Sequence, residues 1–360
     1  MKLFACPSCT QQLYFENTRC LACDSIVLYE PRQAMFVVAG ASGAIACANS
    51  EQCACNWVAA KPGGFCRACQ LNKTIPDLTV GGNRERWIRV EAAKKRVIYS
   101  LLSFGLDVEP KSAPGSEVGI AFDFLADPSG GGGPGGERIL TGHDNGVITL
   151  NVAEADSPER EKRRIAMGET YRTLLGHFRH ELGHYYWDRL IRDDAAWLDR
   201  FRATFGDERP DYEEALKLHY ATPPAADWQM RHISAYAASH PWEDWAETWA
   251  HYLHIVDTLE MADSLKWSIG AMELASGPLL TPDTDRGAGR DDGQDPGDDG
   301  AEYPPASTGA AFDATLGRWI VLSNASNSIN RCMGLPDLYP FVISQVVAEK
   351  LAFIDDLLRR

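Results

Sequence analysis

Nothing in this sequence is apolar for long enough to cross a bilayer. Its most lipid-like stretch, Ala34–Ala48, is short and built largely from Gly, Ala and Ser. The opening MKLFAC also lacks the apolar core of a secretory leader. The expected location is therefore cytoplasmic, with no membrane contact. In that reducing setting the ten cysteines read as metal ligands, not as a disulfide framework.

Positive charge is scarce too. Lys and Arg number 35 against 50 Asp and Glu, a net charge of −15, which argues against nucleic acid or an anionic lipid surface as partner. Basic residues gather early, with 12 against 7 acidic ones in the first hundred positions. Seven of them, Lys73 to Arg96, fall mostly on a helix expected to begin near Asn83 and read as a solvated face. Two further absences matter. There is no internal repeat beyond two cysteine clusters, and the Gly-rich run Ser129–Gly136 lacks the strand–G-x-x-x-x-G-K–helix context of a phosphate cradle, so it reads as a connector.

What is present is a set of metal-ligand spacings. Cys6/Cys9 and Cys20/Cys23 are two C-x-x-C knuckles ten residues apart, the arrangement of a zinc ribbon. Short strands at Leu13–Phe15 and Ile26–Tyr29 flank the second knuckle. So small a module has too little apolar core to fold unaided, and a structural zinc would supply the difference. A second cluster follows: Cys47, Cys53, Cys55, then Cys66 and Cys69. Cys66/Cys69 is a clear knuckle. Cys47 with Cys55 is the preferred completion, leaving Cys53 free; Cys53 with Cys55, or interleaving between the clusters, stays open. Cys332, alone in an expected helix, reads as a small buried apolar residue.

Further on, HELGH at 180–184 sits in an apolar stripe of Leu174, Leu175, Phe178, Leu182 and Tyr186 at helical spacing. His180 and His184, four apart, share one face and can hold one zinc, while Glu181 lies about 100° round the helix as a candidate base. A catalytic zinc needs a third ligand and an open position. Glu243 is the preferred third ligand, with Glu247 as its rival and otherwise as hydrogen-bond acceptor for a ligating imidazole. Tyr236 is a candidate donor to an oxyanion. His251 and His254 read as packing or supporting groups, and His143 as a loop histidine. Around these, a strand over Val118–Leu125 and a hairpin of Arg138–Thr141 with Val147–Val152 about Asn145-Gly146 are expected. Helices are expected from Ser157, through 193–220 with a break at Gly206–Pro210, through 227–263 with a break at 239–241, and over 311–333 and 344–358.

Longer strings carry a family resemblance: CNW at 55–57, NKTIPDL at 72–78, GHDNGVIT at 142–149, GHFRHELGHYYW at 176–187, HPWEDWAETWAHY at 240–252 and MGLPDLYP at 333–340. The sequence resembles bacterial zinc-binding metallopeptidases with an N-terminal zinc-ribbon module. That resemblance implies a gluzincin-like zincin, with Tyr236, Glu243 and Glu247 matching the group's tyrosine, metal-binding glutamate and following acidic residue.

The expected fold is α+β: a zinc-ribbon module at 1–72, then a mostly helical zincin-like domain with a small sheet at 73–279. An Asp/Gly/Pro-rich insertion follows at 280–309, and helices at 310–360 pack back on the catalytic domain. The expected chemistry is peptide-bond hydrolysis with one catalytic and two structural zinc ions, Glu181 as base, and substrate backbone added along Val147–Val152. The substrate would be a peptide or protein, and the ribbon module could recruit a protein partner. The competing reading is a non-catalytic zinc-binding scaffold.

Overall fold

The computed structural model describes residues 1–111, 118–127, 139, 141–166, 169–267 and 310–360. The Gly-rich run at 129–136 and the Asp/Gly/Pro-rich segment at 280–309 lie outside the described residues.

The N-terminal part is a string of two-stranded sheets pinned by cysteine. β1 (Phe4–Ala5) pairs with β2 (Gln12–Leu13), β3 (Val27–Glu30) with β4 (Met35–Val38), and β5 (Ile45–Ala46) with β6 (Val58–Ala59), all antiparallel. A short helix α1 (Ser50–Cys53) lies between β5 and β6. Strands of two to four residues cannot hold themselves together in water. Here they enclose one aromatic cluster, in which Phe15 meets Tyr29 edge-on at 5.0 Å and Trp57 lies 5.1 Å from Tyr29. Asn56, in the turn after Cys55, ties the two halves by donating from Nδ2 to the carbonyls of Phe15 (2.6 Å) and Asn17 (3.0 Å).

β7 (Asn72–Thr74) leaves this part and joins the main sheet, after which α2 (Asn83–Ser103) runs across it. Gly82, at φ 85°, precedes the helix, so Asn83 is its first residue and not its cap; its side chain donates to the Asp77 carbonyl at 3.0 Å. The cationic run keeps an exposed face at Lys73, Arg84 and Arg89, but its charges are paired. Arg86 and Arg89 both reach Asp156 at 2.7 Å, Arg96 pairs with Glu16 at 2.6 Å, and Lys73 pairs with Asp123 at 2.7 Å. Arg84 donates to the carbonyls of Glu51 and Gln52, and Lys94 and Lys95 are buried. The helix thus uses its charge to clamp the ribbon and the sheet together.

The main sheet has four strands in the order β7–β8–β10–β9, with β8 at Ala121–Leu125, β9 at Gly142–Asp144 and β10 at Val147–Asn151. β8 is shorter than the expected Val118–Leu125. The hairpin turns at Asn145-Gly146 with φ 46° and 80°, as that dipeptide predicts. Its first strand is Gly142–Asp144, later than expected; of the expected Arg138–Thr141, residues 138 and 140 lie outside the described ones. β10 is parallel to β8 on one side and antiparallel to β9 on the other. Its backbone is therefore occupied on both edges, which rules it out as the strand that receives a substrate. Among the described residues the free edge beside the hairpin belongs to β9.

The remaining body is helical: α3 (Ser157–Ala166), α4 (Leu174–Leu190), α5 (Ala195–Phe205), α6 (Tyr212–Ala221), α7 (Pro241–Ser264), α8 (Ala310–Cys332) and α9 (Gln345–Leu358). The architecture is α+β, small sheets followed by a mostly helical body. α4 and α7 pack so closely that a Cβ on Gly183 would come within 3.1 Å of Ala246 Cα and of the Trp249 ring. Trp245 Nε1 locks the crossing by donating to the Gly183 carbonyl at 2.8 Å. Cys332, at the end of α8, is exposed, so it is not the buried apolar residue its helical setting suggested. Among the described residues no helix is long and apolar enough to cross a membrane.

Candidate metal centres and cleft

Cys6, Cys9, Cys20 and Cys23 converge, as do Cys47, Cys55, Cys66 and Cys69. Sulfurs on a tetrahedral zinc, each at about 2.3 Å, lie about 3.8 Å apart. The Sγ pairs Cys6–Cys23 at 3.7 Å, Cys9–Cys20 at 3.6 Å, Cys55–Cys66 at 3.6 Å and Cys55–Cys69 at 3.6 Å match that spacing. Backbone N–H groups point at the sulfurs, from Ser8 to Cys6 (3.4 Å), Cys66 to Cys47 (3.3 Å) and Cys69 to Cys66 (3.4 Å), as thiolates require. The second cluster is buried and also has an ammonium beside it. Burial alone would lower the Lys95 pKa, but Cys55, Glu91 and the other thiols hold it above its ordinary value. Cys53 is buried next to Cys69 and Glu91, outside the set of four.

The third convergence is in the helical body. Thr173 caps α4, its Oγ1 accepting from the Gly176 N–H at 3.0 Å. Further along the helix His180 and His184 project together, Nε2 to Nε2 at 3.2 Å. Glu243 comes from the first turn of α7, whose start is set by the His240 side chain accepting from Trp242 N–H and by Pro241. Its two oxygens lie 3.0 Å from His180 Nε2 and 3.4 Å from His184 Nε2. Donor atoms on a tetrahedral zinc at 2.0–2.1 Å sit about 3.3 Å apart, so these three fit one ion. Burial alone would raise the Glu243 carboxyl; the facing His184 and His180 rings outweigh it and hold the carboxyl well below its ordinary range.

Behind this set, Glu247 Oε1 lies 2.7 Å from His180 Nδ1, and its other oxygen accepts from Ser234 Oγ at 2.7 Å. Asp244 points the other way, into an ion pair with Lys350 at 2.5 Å. Glu181 is half-buried and lines a cleft of about 250 Å³ with His180, Tyr236 and Glu247. Tyr236 lies with its ring 6.0 Å from that of His180, and burial followed by Glu243 pushes its phenol pKa up, keeping the proton on. His251 meets the Tyr339 hydroxyl through Nδ1 at 2.9 Å and packs on Phe341.

Three more neighbours complete the surroundings, of which Tyr212 alone had no sequence signal. Tyr212, on α6, donates to Glu243 Oε1 at 2.5 Å. Trp242 lies 4.1 Å from the His184 ring. His143, on the sheet edge, lies parallel to His184 at 6.2 Å, so it is more than a loop histidine. Its Nε2 accepts from the Gly146 N–H at 2.8 Å, and burial with the nearby His184 pushes its pKa down to about 3.

Residues 83–357 match the family described as "Putative zinc-binding metallo-peptidase", and residues 3–80 match a zinc-ribbon domain. Uncharacterized proteins of Mycobacterium bovis and of two Mycobacterium tuberculosis strains are 40% identical over 357 residues, covering 98% of this chain and 94% of theirs. No solved structure matches the chain.

Proposed function

This chain belongs to the zinc-binding metallo-peptidase family, with a zinc-ribbon domain ahead of the peptidase domain, and from that premise we propose that it hydrolyses peptide bonds at His180, His184 and Glu243. The observation that carries the reading is the convergence of these three side chains with a carboxylate, Glu181, beside them that is unengaged among the described residues. A zinc ion held there supplies a Lewis acid, polarising a substrate carbonyl and acidifying a water molecule.

The chain's own groups then have distinct tasks. Glu181 takes the proton of the attacking water and passes it to the leaving amine. Tyr236 keeps its proton and donates a hydrogen bond to the carbonyl oxygen as that atom gains negative charge. Glu247 accepts from His180 Nδ1, which fixes the ring and leaves Nε2 facing the other ligands. Tyr212 fixes the Glu243 carboxylate in the same way from the opposite side. Substrate backbone pairs with the free edge of β9, Gly142–Asp144, in place of the interior strand β10. The two four-cysteine sets hold structural zinc and stabilise the ribbon domain.

The test compares the wild-type chain with Glu181→Gln in the host proteome. Cleavage ends present with wild type and missing with the variant are expected. Equal patterns from both proteins, with zinc bound in each, would sink the proposal.

A further inference from the structure

The cleft holds a guanidinium that the hydrolytic groups do not use. Arg179 precedes His180 and so lies about 100° round α4 from it, on the flank opposite Glu181. Its side chain lines the cleft although the residue is only 5% exposed. Nη2 donates to Asp257 at 2.5 Å, but Nε has no hydrogen-bond partner among the described residues. Asp257 divides its charge further, since the Ser100 hydroxyl lies 2.8 and 2.7 Å from its two oxygens.

Two histidines of α7, His251 and His254, line the same recess. His251 uses Nδ1 on Tyr339, and the His254 ring packs against Tyr171, Trp319 and Tyr339. Burial, with the Arg179 charge adding to it and against the pull of Glu247 on His251, holds both imidazoles below their ordinary pKa, so each is neutral with a single N–H. Tyr171 and Phe341 close the wall, Tyr171 6.1 Å from His254 and Phe341 4.4 Å from His251. Two acidic groups of the cleft wall are engaged elsewhere, Glu169 by Arg172 at 2.7 and 2.9 Å and Glu247 by His180 and Ser234, and the third, Glu181, lies on the flank of α4 opposite Arg179.

An apolar side chain seated here would bury a guanidinium with donors unused, and a cation would be repelled. A carboxylate offers a planar pair of acceptors to a desolvated guanidinium and to imidazole N–H donors. We propose that this recess, formed by Arg179, His251 and His254, recognises a carboxylate of the peptide substrate, so that substrates bearing negative charge next to the scissile bond are preferred. The inference rests on the peptidase reading. The carboxylate belongs to an acidic side chain or to a chain end, and the two share this chemistry.

The test is calorimetric binding to the zinc-loaded full-length Glu181→Gln protein. Three probes are used: an end-blocked tripeptide with a central glutamate, its glutamine isostere, and a tripeptide with a free C-terminal carboxylate. At least one carboxylate probe should bind tenfold or more tightly than the isostere, and which one does so identifies the source. That advantage should fall to within twofold in His254→Phe and in the double variant Arg179→Gln/Asp257→Asn, which removes both members of the buried pair. Equal affinity for all three probes, or an advantage that survives both variants, overturns the subsite. Turnover separates this inference from the reaction: wild type that cleaves peptides without charge preference sinks the subsite alone, and binding without Glu181-dependent cleavage sinks the reaction alone.

Discussion

His180 Nδ1 lies 2.7 Å from Glu247 Oε1, and this one contact decides which way the His180 ring faces. With Nδ1 donating to the carboxylate, Nε2 is left as a lone-pair donor toward His184 and Glu243. Glu247→Ala should therefore weaken zinc binding by about 10- to 100-fold while the ribbon zinc stays in place. Competition with a chromophoric chelator measures it; unchanged affinity would make Glu247 a bystander.

Glu181→Gln keeps the size and polarity of the side chain and removes its basicity. Hydrolysis should drop by at least about 10². Zinc content should be unchanged, at about three per chain by metal analysis. His180→Ala should lose one of those ions.

Gly183→Ala pits helix propensity against packing. Alanine gains up to about 1 kcal/mol in a helix interior. The added Cβ, however, meets Ala246 Cα and the Trp249 ring at 3.1 Å, and a helix backbone cannot move aside as a flexible side chain could. Overpacking should win, with net destabilisation of about 1–3 kcal/mol in a urea melt. A more stable variant would mean α4 and α7 cross with more slack than this.

Glu154 is fully buried and holds in place Thr141, Arg172 and His177, which line the cleft. Burial alone would raise its carboxyl pKa, but His177, Arg172 and Thr141 bring it far below the ordinary value. A depressed folded pKa stabilises the chain above the unfolded value, about 4.3, and that stability fades as pH falls toward the folded one. Glu154→Gln should thus be clearly less stable than wild type at pH 7. The gap between their urea midpoints should narrow as pH drops below about 4.3. A gap that stays constant down through that range would contradict the assignment.

Sequence and structure part company along contact range. Spacing alone determined what lies within one element or one tight turn. The C-x-x-C knuckles, the HELGH face, the break at Pro241 and the Asn145-Gly146 turn are all set by helical period or by the φ values a residue tolerates. Even the preferred set of Cys47, Cys55, Cys66 and Cys69 comes together, with Cys53 outside it.

What depended on how distant elements meet was out of reach of spacing. Tyr212 reaches Glu243 from a different helix, 31 positions away. The cations Arg86, Arg89 and Arg96 have no visible partners in the local sequence; Asp156 and Glu16 reach them from separate elements. The strand Val147–Asn151 has the pattern of a substrate-binding edge, yet β8 occupies one side and Gly142–Asp144 the other, and strand order leaves no trace in a local pattern. Ligand types and their periodicity are local properties of the chain, so the sequence determined them; which edge stays open, which charges find partners and which tyrosine holds the glutamate were decided by tertiary packing alone.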